Sequence, residues 1–256
     1  MSNAVDMRYM TAADVLQETS QTPAVILPLA SVEMLGGHGP IGLDLIAAQR
    51  VTPMIAEKAG CLFLPPIPYG DTAEFGGLPG TVHIPESVLM EYILAASRSI
   101  FQTCGAKAIA MIAFHSLNAQ AAVSACRILK QEGRRVLLAD WWQTVGTAGG
   151  ALLQDQQNGR GHGAEMITSV ALALCGSAVR MDQAKNEMPL PGLDQVNRWN
   201  NTPFRTFGNF SEYCKGGAWG DLSGASAEKG EQLITLGTDA IASFLREALA
   251  EDPVTR

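Results

Sequence analysis

The sequence predicts an α/β fold of three layers, α/β/α, with a mostly parallel central sheet covered by helices on both faces. Three observations carry this reading. Short, branched, apolar runs alternate with longer amphipathic ones along the chain. The short runs are apolar almost throughout, as in strands buried on both faces, where a half-solvated sheet would show period-two alternation. Polar clusters follow three of these runs, at the place where such sheets carry their chemistry. The 256 residues and 47% hydrophobic content suit one domain with a sizeable core.

Taken in order, Ala24–Ala30 (AVILPLA) reads as a buried strand. Asp44–Gly60 follows with Leu45, Ala48, Val51, Ile55 and Ala59 at helical spacing, and Gly60 stands where a left-handed residue ends a helix. Cys61–Leu64 is a short strand before the Pro-rich PPIPYG segment. Pro85–Cys104 opens with proline at the first helical position. Ala106–Phe114 is a second buried strand, Asn118–Gly133 a helix, Arg134–Asp140 a third strand and Gly163–Gly176 another helix. Ser226–Leu249 closes the chain as a long helix, and Met188–Gly217, rich in Pro, Asn and Gly, reads as an irregular flap.

The net charge of −7 argues against nucleic acid or an anionic membrane as partner, since both need a basic surface. No apolar run reaches the ~18–20 residues of a membrane span. The five cysteines (Cys61, Cys104, Cys126, Cys175, Cys214) are scattered, and MSNAVDMRYMTAAD lacks an apolar signal region, so a reduced cytoplasm is expected.

The polar clusters after the strands are Ser31–Asp44, His115–Asn118 and Asp140–Trp142. Glu33 and His115 each emerge just beyond a strand, and Asp44 begins the next helix. Two carboxylates and an imidazole at one sheet edge suit a divalent cation with a position left for water. Such an ion brings the pKa of bound water towards ~7. His162, in RGHGAE, is placed to move protons to a leaving group. Each residue has a plainer reading beside this one. Glu33 is then a solvated loop side chain, Asp44 a helix cap, His115 a structural histidine, His162 a turn residue and His83 part of a strand-like stretch.

Leu27–Asp44, LPLASVEMLGGHGPIGLD, resembles the creatininase signature, roughly L-P-x-G-S-x-E-Q-H-G-P-H-L-P-x-x-T-D, with Glu33 and Asp44 eleven residues apart and His38 on its second histidine. Further resemblances follow in order. Gly77–Thr81 resembles F-P-G-T, and Phe114–Asn118 resembles N-G-H-G-G-N with His115 on its histidine. Asp140-Trp141-Trp142 stands at a tryptophan-rich strand end, Gly161–Ser169 resembles H-A-G-x-x-E-T-S, and Gly217–Gly230 resembles the closing G-x-x-G-D-P…A-x-x-E-K-G.

The resemblance implies a metal-dependent amidohydrolase, typically with two metals sharing an aspartate. It implies Glu33, Asp44 and His115 as ligands of one metal and His162 as the catalytic histidine. His38, Ser116, Trp141 and Trp142 then fall on the substrate side, and a homo-oligomer, commonly a hexamer, is implied.

The departures cluster on the second-metal side. A ligand histidine is here Leu35, the glutamate of E-T-S is Ile167, and the glycine pair after the metal histidine is Ser116-Leu117. A leucine ligates nothing, so one divalent ion (Zn²⁺ or Mn²⁺) is expected per chain, with Glu165 as general base or substitute ligand. The expected substrate is a small cyclic amide or activated carbonyl compound, opened at a C–N or C–C bond. A non-catalytic protein that binds a small ligand or partner, and a formamide deformylase, stand as alternatives.

Overall fold

The computed structural model describes residues 5–188 and 208–250. Four strands, β1 (Val25–Leu29), β2 (Leu62–Phe63), β3 (Ile109–Ala113) and β4 (Val136–Asp140), form a fully parallel sheet in the order β2-β1-β3-β4. β1 and β3 pair in register from Val25↔Ile109 to Leu29↔Ala113, and β3 and β4 from Ile109↔Val136 to Ala113↔Asp140. Their carboxyl ends therefore lie level at one edge.

Successive strand residues face opposite sides, and the sheet splits its side chains accordingly. Ile26, Ala110 and Ile112 join one core with α2 (Leu43–Ala59), α5 (Trp141–Gly149), α6 (Glu165–Cys175) and α8 (Ala227–Ala250). Val25, Leu27, Leu29, Ile109 and Met111 join the other with α3 (Glu86–Thr103) and α4 (Asn118–Gln131). This is the expected three-layer arrangement. Pro28 is tolerated inside β1 because its carbonyl, which accepts from Ile67 N (2.9 Å), faces the side where β2 has ended; its missing N–H faces the same way and breaks no ladder bond.

The expected helices and strands all form, with ends shifted by a few residues. Gly60 ends α2 at φ +67°, as its position in the sequence implied. Pro85 stands one place earlier than expected, as the extended residue before α3 rather than its first helical one. Among the described residues outside the expected flap, two α-helices were not anticipated. α1 (Ala12–Gln21) is largely exposed and shows no strong apolar stripe, although Thr11 and Asp14 form a reciprocal capping box at its start. α5 starts directly at the end of β4, where Asp140 caps it by accepting from Gln143 N (3.0 Å).

Within the segment read as an irregular flap, residues 189–207 lie outside the described residues, while Phe210–Tyr213 forms a short helix, α7. His83 makes a single bridge to Gly70 rather than a strand. Among the described residues, no helix is long and apolar enough to cross a membrane.

Two predictions follow from the packing. A Cβ on Gly230 would lie 2.0 Å from the Ser169 carbonyl oxygen, so α8 touches α6 backbone to backbone there. Gly230→Ala should destabilise by about 1–3 kcal/mol from overpacking, against the gain of about 1 kcal/mol that alanine brings to a helix interior; urea unfolding measures it. Burial raises the Cys61 thiol to about 11. A disulfide reagent at pH 8 should therefore leave Cys61 unmodified in the native protein and react with it in denaturant; mass spectrometry of the labelled peptides distinguishes the two.

Candidate metal centre

The carboxyl edge of the sheet gathers the site. The chain leaves β1 through Ser31 and Glu33, leaves β3 through His115, and leaves β4 into α5, which carries Trp142. Asp44 lies in the first turn of α2, where Gly42 and not Asp44 is the N-cap, so its carboxylate is free to turn inward. The recurring sequence motifs fasten these segments. Met34 N donates to Thr81 Oγ1 (3.0 Å), Gly36 N to Gly217 O (2.8 Å) and Trp219 N to His162 O (2.8 Å). Asn118 Nδ2 donates to Ala30 O (2.9 Å), while its Oδ1 accepts from Asp71 N (2.9 Å).

Glu33, Asp44 and His115 are each buried, and one ligand-type atom from each lies within 4.8 Å of the others. His115 Nε2 approaches Glu33 Oε2 to 2.6 Å. Yet Oε2 is buried without a hydrogen bond, so the two atoms sit close without the alignment an N–H···O bond requires. Asp44 is held from behind. Ser31 Oγ donates to its Oδ2 (2.8 Å) and Trp142 Nε1 to its Oδ1 (3.0 Å).

Burial, reinforced by the nearby charge of Glu33, raises the Asp44 carboxyl to about 7. Burial pulls His115 down, but the charge and close contact of Glu33, with the charges of Asp44 and Asp140, outweigh it and raise the imidazole to about 9. Buried charges are costly unless compensated. Two buried carboxylates with a close but unaligned imidazole make a donor set that a divalent cation fits, by its oxygen and nitrogen ligands and by its charge.

His162 stands beside this group, with Nδ1 3.8 Å from Glu33 Oε1. Its Nε2 lies 2.9 Å from the Met34 carbonyl, which can only accept, so Nε2 carries the proton. Burial lowers its pKa despite the opposing charge of Glu33, so the ring is neutral at pH 7 and Nδ1 is a free acceptor facing the carboxylates. Phe75 and Phe210 flank the ring at 4.4 and 5.2 Å and stack on one another at 4.8 Å. Sequence reasoning missed both. Phe75 lies in a 3₁₀ turn and Phe210 in the segment read as irregular, and neither carries a periodic signal.

Other expectations are corrected. Glu165 joins neither the cation ligands nor His162. It is 1% exposed, its Oε1 is paired with Lys229 Nζ, and both oxygens accept from Gln154 N (3.0 and 2.9 Å), so it has no vacant lone pair facing the site. His38 is 2% exposed. Thr168 Oγ1 donates to Gly163 O (2.8 Å) and therefore accepts from His38 Nε2 (2.9 Å), so His38 braces the loop after His162. Trp141 is fully buried against Phe114 (5.6 Å) and belongs to the core. Ser116 is half-buried beside the Asp140 carboxylate. Leu35, Leu117 and Ile167, where the second-metal side chains were expected, are all buried.

The profile of the creatininase family (creatinine amidohydrolase) matches residues 8–245. The chain is 28% identical over 229 residues to a mycofactocin precursor peptide peptidase of Mycobacterium ulcerans (strain Agy99), covering 85% of this chain and 82% of that one. It is 25% identical over 244 residues to the creatinine amidohydrolase of Pseudomonas putida, covering 87% and 88%. Among solved structures, manganese creatininase aligns with a TM-score of 0.78 at 20% identity, over 96% of this chain and 99% of that one. A zinc–zinc form of a creatininase variant aligns with a TM-score of 0.77 at 20% identity, over 98% and 100%. The match spans the layers, the parallel sheet and the edge that carries Glu33, Asp44 and His115, and the chain belongs to the creatininase family of metal-dependent hydrolases.

Proposed function

We propose that this protein binds one divalent cation, Zn²⁺ or Mn²⁺, on Glu33, Asp44 and His115 and hydrolyses a small carbonyl compound, with His162 carrying the proton. The observation behind this reading is the 2.6 Å approach of His115 Nε2 to a Glu33 oxygen that has no hydrogen bond, beside Asp44 at the sheet edge. A cation bound there would polarise the substrate carbonyl and acidify water.

The protein's own groups do the rest. Neutral His162 offers Nδ1 as acceptor towards the carboxylates, takes a proton there and returns it to the leaving atom. Phe75 and Phe210 keep bulk water from that ring. Buried Leu35 and Leu117 offer no further ligands, so the electrophilic help is that of a single ion. That favours a carbonyl already activated by ring strain or by its neighbours, such as a cyclic amide or a ring ketone.

A peptide C–N bond is the second reading, supported by the extent of the likeness to the Mycobacterium ulcerans peptidase. Lactams, cyclic imides, ring ketones and short peptides assayed side by side separate the two, since each product is the substrate plus one water. Protein stripped by a chelator should lose the activity and regain it with one equivalent of Zn²⁺ or Mn²⁺. Activity indifferent to exhaustive chelation would overturn the proposal. We further propose a cytoplasmic homo-oligomer, as large as a hexamer, measurable by light scattering after size exclusion.

A further inference from the structure

We propose that Trp142 is a positioning residue of the metal centre, whose indole N–H fixes the plane in which Asp44 meets the cation. This deepens the one-ion reading above and rests on it. Each oxygen of a carboxylate has two lone pairs, so it can accept a hydrogen bond and still meet a cation. Here Oδ1 faces an N–H donor, Trp142 Nε1 at 3.0 Å, and Oδ2 faces a hydroxyl donor, Ser31 Oγ at 2.8 Å. Each donor claims one lone pair and leaves the other to meet the ion.

The surroundings of the indole are apolar. Trp142 belongs to the same buried cluster as Leu35, Leu43 and Ile167, and packs edge-on to Trp141 at 6.3 Å.

The placement is rigid. Trp142 is the second residue of α5, and that helix is fixed at its start by Asp140, whose backbone is in register with Ala113 of β3, two residues before His115. The indole is 5% exposed and has no room to swing away. Trp142 and His115 thus each follow the end of one of two paired strands by two residues, and the indole sets the plane of the Asp44 carboxylate relative to the imidazole. Groups that orient a metal ligand in this way typically change metal affinity by about 10–100-fold when removed.

The test is titration of metal-free protein with Zn²⁺, read by calorimetry and by bound metal per chain, for wild type, Trp142→Phe and Ser31→Ala. One equivalent is expected for wild type, with binding weakened about 10–100-fold in Trp142→Phe and in the same direction in Ser31→Ala. The ¹H–¹⁵N indole resonance missing from Trp142→Phe should shift in wild type as Zn²⁺ is added, since the acceptor oxygen changes its charge. If Trp142→Phe does not fold, that resonance is assigned by elimination, and Ser31→Ala with the wild-type indole shift decides. An indole resonance unmoved by bound Zn²⁺ would overturn the proposal, as would unchanged affinity in a folded Trp142→Phe, and two equivalents in wild type would overturn the one-ion reading on which it rests. No Zn²⁺ bound by wild type would overturn the proposed function as well, whereas each of the other results leaves metal binding intact.

Discussion

Replacing Lys229 with methionine is expected to destabilise the fold by about 3–5 kcal/mol, the usual cost of leaving a buried charge without its partner. Glu165 is 1% exposed, and Lys229 Nζ meets its Oε1 while also donating to Gly224 O (2.8 Å). Gln154 N and Asp155 N also donate to that carboxylate, neutral groups that cannot compensate its charge. With total stabilities of about 5–15 kcal/mol, such a loss removes much of the margin. Urea unfolding of the metal-free protein measures it without interference from ion binding. The double variant Glu165→Gln with Lys229→Met should recover part of the loss, because the unpaired charge goes too. Lys58→Met, at the exposed pair with Asp239, should cost no more than about 1 kcal/mol. Equal losses at Lys58 and Lys229 would show that the buried pair has no special weight.

His162→Ala is expected to lower turnover by about 10²–10⁴-fold, the contribution typical of a positioned acid–base group. The metal should be retained at the wild-type level. Nδ1 lies 3.8 Å from Glu33 Oε1, near the carboxylates but outside the group of three whose ligand atoms converge. Bound metal per chain and the rate, measured on the same preparation, separate proton transfer from ligation. Loss of metal together with the rate would make His162 a ligand. An unchanged rate would remove His162 from the proton transfer.

The fold was legible because its strands are buried on both faces and read as unbroken apolar runs, and because the helices between them keep a regular apolar spacing. Glu33 and His115 were legible for a related reason, since a polar residue directly after such a run emerges at the sheet edge. The partners of each side chain were not. Glu165 reads as a spare acid next to a lost glutamate, and nothing local announces that Lys229, 64 residues on, claims it. His38 matches a motif histidine but turns to Thr168, a contact made 130 residues away. Trp141 and Trp142 are adjacent and alike in composition, and only the helical twist that begins at Asp140 sends one into the core and the other to Asp44. The Phe75–Phe210 stack joins two irregular segments far apart in the chain, where no periodicity operates.

The anchoring of His162 limits what it can reach. Its ring is tied through Nε2 to Met34 O, its carbonyl accepts from Trp219 N, and the following Gly163, at φ +72°, is held through Thr168 by His38. Many proton carriers swing between a donor and an acceptor, but this one is bolted at both ends. A molecule that turns over here must therefore bring its attacking and departing atoms within a single hydrogen-bond length of one fixed nitrogen. Rings meet that demand readily, because the bond that breaks leaves its two ends tethered together.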